Sequence, residues 1–142
     1  MVTVKQLLDQ KGHEVLSIGP DDSVFDAIEK MADNNVGSLV VLEGGKLIGI
    51  ITERHYARNV FLKGRSSPET TVGEIMSKRC VCARPEQSVE ECMAVMTDKA
   101  VRHLPVLEKK QLIGVISIGD LVKNIISDQK FVIEQLEHYI AG

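Results

Sequence analysis

The chain has 142 residues, 44% of them apolar and 26% charged, which is the composition of an ordinary globular protein long enough to bury one core. Its net charge of −3 gives no general attraction to nucleic acid or to an anionic membrane. No apolar run approaches the roughly 18 residues of a membrane-spanning helix. The first nine residues are amphipathic and carry an early acid, unlike a signal peptide, so a cytoplasmic location is expected.

Residues 16–55 recur without a gap as residues 81–120, an offset of 65. Such a duplication in a short chain predicts two half-domains packed with pseudo-twofold symmetry, and any pocket between them in two versions. In chain order, Thr3–Leu8 reads as a short helix. Glu14–Ile18 alternates weakly as a strand and ends at the Gly19-Pro20 turn. Ser23 opens a helix with Asp26 as its capping-box partner, and Val24, Ile28 and Met31 share a face. Leu39–Leu42 and Leu47–Ile51 are continuously apolar and flank Glu43-Gly44-Gly45-Lys46, a hairpin signal. A helix over Glu53–Phe61 completes the unit.

Residues 64–70 read as a surface linker and Thr71–Met76 as a small helix matching Thr3–Leu8. The second unit follows with Ser88 and Glu91 as its box, a hairpin around Glu108–Gln111, and a helix over Ile118–Ile126. Each unit is therefore β-α-β-β-α, an α+β fold, with residues 1–63 as the first repeat and its N-terminal helix, 71–127 as the second, and 128–142 as a C-terminal amphipathic helix. That helix carries Val132, Leu136, Tyr139 and Ile140 on one stripe. The stripe suits either a helix closing the domain's own core or a contact with a second copy.

Cys80, Cys82 and Cys92 are odd in number and unevenly spaced, so buried structural thiols are expected rather than a disulfide framework. The histidines show no metal-ligand spacing, and no nucleophile has a recognisable base beside it, so no catalytic or metal residue is assigned. The polar signals lie at the strand-to-helix junctions. Gly114-Val115-Ile116-Ser117-Ile118-Gly119-Asp120 places a hydroxyl and a carboxylate where a helix begins. A carboxylate there can accept two hydrogen bonds from a vicinal diol, the usual grip on a ribose, although Ser-x-x-Asp also describes a capping box with no ligand. Arg102-His103 precedes Leu104-Pro105-Val106, whereas the first repeat has Gly37-Ser38, so the fold itself needs no basic pair there. Thr52-Glu53-Arg54-His55 keeps the hydroxyl and replaces the acid by His55. Neutral imidazole has one donor and one acceptor and cannot accept from both hydroxyls of a diol. Arg54 and Arg58, at i and i+4, suit phosphate or surface salt bridges to Glu53 or Glu69.

Taken together, these residues resemble a cystathionine-beta-synthase-type (CBS) domain pair, or Bateman module, from about Val15 to Lys123. The resemblance is to stand-alone bacterial members, on Lys11-Gly12, Thr52-Glu53-Arg54-His55-Tyr56-Ala57-Arg58 and Val101-Arg102-His103-Leu104-Pro105-Val106, with His55 as the departure. It implies a non-catalytic sensor binding AMP, ADP, ATP, NAD(H) or S-adenosylmethionine in clefts between the repeats. Asp120 would hold the ribose with Ser117 nearby, while Arg102 and His103 would meet phosphate. Val81, Cys82, Ala83, Leu104 and Pro105 would line the adenine slot. Thr52, Arg54, His55 and Arg58 would belong to the other cleft. The resemblance also implies a homodimer, and with no effector in these 142 residues we expect output through a separate protein or through assembly state. A ligand-free interaction module is the alternative.

Overall fold

The computed structural model describes residues 2–141. The first half comprises β1 (Ser17–Ile18), α2 (Val24–Asn34), β2 (Ser38–Glu43), β3 (Lys46–Thr52) and α3 (Glu53–Tyr56), the last running on into a π-helical turn over Ala57–Phe61. The second half comprises α5 (Val89–Lys99), β4 (His103–Glu108), β5 (Gln111–Ser117) and α6 (Ile118–Ala141). Two short helices stand outside this pattern, α1 (Val4–Lys11) and α4 (Val72–Ile75). Among the described residues no helix is long and apolar enough to cross a membrane.

The repeat predicted from sequence is reproduced residue for residue in the hairpins. Ser38 pairs with Thr52 and Val41 with Gly49; 65 residues on, His103 pairs with Ser117 and Val106 with Gly114. Even the register shift repeats, between Val41 and Leu42 and again between Val106 and Leu107. β1 adds in parallel to β2, joined by α2 as a crossover. Its counterpart in the second half shrinks to a single bridge, Ala83 to Val106. Pro105 accounts for this loss. In the first half Val40 donates its N–H to the carbonyl of Leu16, 3.4 Å away, and Pro105, at the equivalent position, has no N–H to give Val81.

The helix ends follow their capping residues. Ser88 and Glu91 make the reciprocal box, while at Ser23 only the hydroxyl's half is made, to the N–H of Asp26. The predicted break after Ile126 is absent, and α6 runs unbroken for 24 residues. Ser127-Asp128-Gln129-Lys130 contains neither proline nor glycine, so nothing there stops a helix already begun.

Each half has its own core, and the two short helices are exchanged between them. Val4, Leu7 and Leu8 of α1 are buried with Val89, Cys92, Leu104 and Ile116 of the second half. Val72 and Ile75 of α4 are buried with Met31, Leu39, Val41 and Ile51 of the first. An eight-residue helix is unstable alone, and full burial of three aliphatic side chains, at about 1.5–3 kcal/mol each, holds α1 in place. The two glycines of the repeat make room for the exchange. A Cβ on Gly114 would lie 2.7 Å from a Leu8 methyl, and one on Gly49 would lie 2.9 Å from the Ser77 carbonyl oxygen. Gly114 thus makes room for a side chain of α1.

Candidate functional site

The hairpins of the two halves abut through β3 and β5 and leave two clefts, of about 300 Å³ and about 360 Å³. Both fall within the range of small-molecule pockets, roughly 300–1,000 Å³. Each cleft takes the end of one hairpin and the strand start of the other half. Ser117 and Asp120 therefore face Leu16, Val36, Ser38 and Val40, whereas Thr52 and His55 face Val81, Val101, Arg102 and Pro105.

This geometry corrects the grouping read from sequence. Arg102, Val81 and Pro105 share the cleft of His55, not that of Asp120. Arg54 lines the His55 cleft as well, and His103 borders both. Ala83 and Leu104 are not slot residues but belong to the second core, at 1% exposure each. Cys82 lines neither cleft; its thiol donates to the Cys80 carbonyl oxygen. Arg58 also lines neither; it lies in the π-helical turn over Ala57–Phe61 that follows α3. Lys11, Glu14, Glu53 and Arg79 are the charged cleft residues to which motif reading gave no cleft role. The offset of 65, carried two residues ahead of the aligned block, would have matched Glu14 with Arg79.

In the larger cleft Asp120 is anchored at one oxygen. Its Oδ2 accepts from Lys11 Nζ at 2.6 Å and from the Ser117 N–H at 2.8 Å, while Ser117 Oγ accepts from the Asp120 N–H. Lys11 Nζ is held in turn by the Val115 carbonyl at 2.8 Å. Among the described residues no hydrogen bond engages Oδ1. Partial burial raises the Asp120 carboxyl, but the Lys11 ammonium and the Ser117 donors outweigh it and hold the group below its usual range. The carboxylate is therefore charged at neutral pH.

The smaller cleft repeats this junction with different chemistry. Thr52 Oγ1 accepts from the His55 N–H at 3.2 Å, and His55 Nδ1 accepts from the Thr52 N–H at 3.1 Å. The ring's acceptor is thus consumed, and its remaining Nε2–H can only donate. Burial, then the charges of Arg54 and Arg58, lower its pKa and keep it neutral. Behind the site, Pro105 leaves the Val81 carbonyl without the backbone donor that serves Leu16. His103 is held neutral mainly by burial, which outweighs the opposing pull of Asp120.

The thiols offer no competing chemistry. Cys80, Cys82 and Cys92 are free, burial pushes each thiol up, and Cys92 reaches about 11. Among the described residues no group of three or more His, Cys, Asp or Glu is placed to hold a metal.

A repeated β-α-β-β-α unit whose hairpins enclose paired clefts is the architecture of a CBS-domain tandem. Residues 4–61 and 72–127 each match the CBS domain model, and the chain belongs to that family. It is 39% identical to the CBS domain-containing protein CBSX3, mitochondrial, of Arabidopsis thaliana, over 99% of this chain and 72% of the relative. A putative signal-transduction protein with CBS domains from Burkholderia ambifaria superposes with a TM-score of 0.87 at 48% identity, covering 90% of this chain and 96% of that one. The fold is shared with the CBS pair of MJ0100, solved with 5′-methylthioadenosine and S-adenosyl-L-methionine, at 20% identity, a TM-score of 0.79, and 90% and 98% coverage. CBS-domain pairs are regulatory modules rather than enzymes, and this chain is such a pair.

Proposed function

We propose that the protein is an adenine-nucleotide sensor that takes AMP, ADP, ATP or NAD(H) in the Asp120 cleft and passes its state to a partner protein or to its own assembly. The observation that carries this reading is the Asp120 carboxylate, charged, anchored through Oδ2 and open at Oδ1. The ribose diol donates to it, Lys11 beside it meets the first phosphate, and Leu16, Val36 and Val40 offer an apolar wall to the base. Binding shifts the relative set of the two halves by no more than the ligand's differential affinity for the two arrangements.

Calorimetric titration of AMP and NADH into the wild type and Asp120→Ala tests this. Losing charge-assisted bonds to the diol costs about 1.5–3 kcal/mol, a ten- to hundredfold drop in affinity. Equal affinity in the two proteins removes Asp120 from the site. A homodimer is part of the same proposal, since the apolar stripe on the outer part of α6 is exposed and offers a surface for it. That exposure also favours a second reading, a ligand-free interaction module, for which no titration gives heat.

A further inference from the structure

The duplication supplies an internal control, because most positions in one cleft have a counterpart 65 residues away in the other. At three of these positions the smaller cleft carries the more basic group. Asp120 is answered by His55, Glu14 by Arg79 and Gly37 by Arg102, while His103, the counterpart of Ser38, borders both clefts. The smaller cleft is lined by three guanidinium groups, of Arg54, Arg79 and Arg102, against the single carboxylate of Glu53. The larger has the carboxylates of Glu14 and Asp120 against the single ammonium of Lys11, which is already paired. Among the described residues none of the three arginines is in an ion pair, in a chain whose net charge is −3.

We infer that the smaller cleft is a polyphosphate site that reads charge and does not require a vicinal diol. The inference rests on the reading of the clefts as ligand sites and gives the two of them different chemistry. Guanidinium groups bind phosphate oxygens in bidentate fashion, and three around one cavity match the charge of a di- or triphosphate better than that of a monophosphate. The diol grip is missing because His55 has already spent its only acceptor on the Thr52 N–H. The polyphosphate is either the free anion or the tail of a nucleotide whose base lies against Val81 and Pro105.

Titration calorimetry with inorganic pyrophosphate tests this on the wild type, Arg54→Gln/Arg79→Gln, His55→Asp and, as a charge control, Arg84→Gln. Pyrophosphate should bind the wild type and Arg84→Gln alike, and orthophosphate at least tenfold more weakly. Affinity for pyrophosphate should fall tenfold or more in Arg54→Gln/Arg79→Gln and in His55→Asp. ATP and 2′-deoxy-ATP then separate the sources. A tighter grip on both than on pyrophosphate, equal for the two, identifies a nucleotide tail; a grip no tighter than on pyrophosphate identifies the free anion. Absence of pyrophosphate binding at millimolar concentration overturns the inference, as does equal loss in Arg84→Gln or a marked preference for ATP over its 2′-deoxy form in the arginine-dependent site. Because AMP binding through Asp120 is read separately, either proposal can fail while the other stands.

Discussion

Gly49 and Gly114 occupy equivalent positions and face unequal obstacles. Alanine at 114 meets the terminal methyls of Leu8, which can rotate, whereas alanine at 49 meets the Ser77 main-chain carbonyl and the Met76 sulfur, the latter at 2.6 Å. The Ser77 carbonyl is tied by its bond to the Ile50 N–H and cannot retreat cheaply. Gly49→Ala should therefore lower unfolding stability by about 1–3 kcal/mol and Gly114→Ala by less, as measured by urea denaturation. A glycine within a buried strand, as at Gly114, marks a close approach without saying to what. The occupant comes from α1, more than a hundred residues away in sequence, and no local pattern encodes that pairing.

The two hairpins form a matched pair at the level of the element. Both turn through two residues with positive φ: Gly44 and Gly45 at 58° and 78°, Lys109 and Lys110 at 50° and 66°. Glycine adopts this conformation freely, whereas lysine is strained there by roughly 1–2 kcal/mol per residue. Lys109→Asn/Lys110→Gly should therefore stabilise the protein by about 1–2 kcal/mol, seen as a higher urea midpoint with an unchanged slope. Elements of this kind were legible in advance, since hairpin length, caps and apolar runs are local signals. The π-helical turn after Tyr56 was not, and neither was the shrinking of the strand at residues 82–83 to a single bridge. The first buries Val60 in a core assembled from distant segments, and the second follows from a proline that lies in another strand.

At the scale of the molecule, α6 has one face that the chain itself does not cover. From Ile126 to Ile140 every residue is exposed, and Val122, Ile126, Val132, Ile133, Leu136, Tyr139 and Ile140 lie along one stripe. The structure thus removes the alternative that this helix closes its own core. A second copy fits by charge, because Lys130 and Glu137 flank the stripe on one side. An antiparallel pairing centred near Glu134 sets each Lys130 against Glu137 of the second copy, twice by symmetry. Ile133→Glu/Leu136→Glu should therefore halve the mass measured by light scattering while leaving the two cores folded. A wild type that already elutes as a monomer at micromolar concentration would sink this pairing. The clefts show a similar division of legibility. Motifs identified their chemistry, but which strand faces which junction is a property of the pseudo-twofold axis, and the grouping had to be redrawn around it.

One imidazole, that of His103, forms the partition between the two chambers, with its Cε1 4.0 Å from where a Cβ on Gly37 would stand. An anion arriving on the arginine side makes the protonated ring more favourable, and that added positive charge is felt at once by the carboxylate and ammonium on the far side. On the proposed reading of the two clefts, their occupants would be coupled through the charge state of this ring, with no movement of the backbone required. By thermodynamic reciprocity such a coupling would have equal size in both directions, and would show as a nucleotide affinity in the Asp120 cleft that changes when pyrophosphate is present.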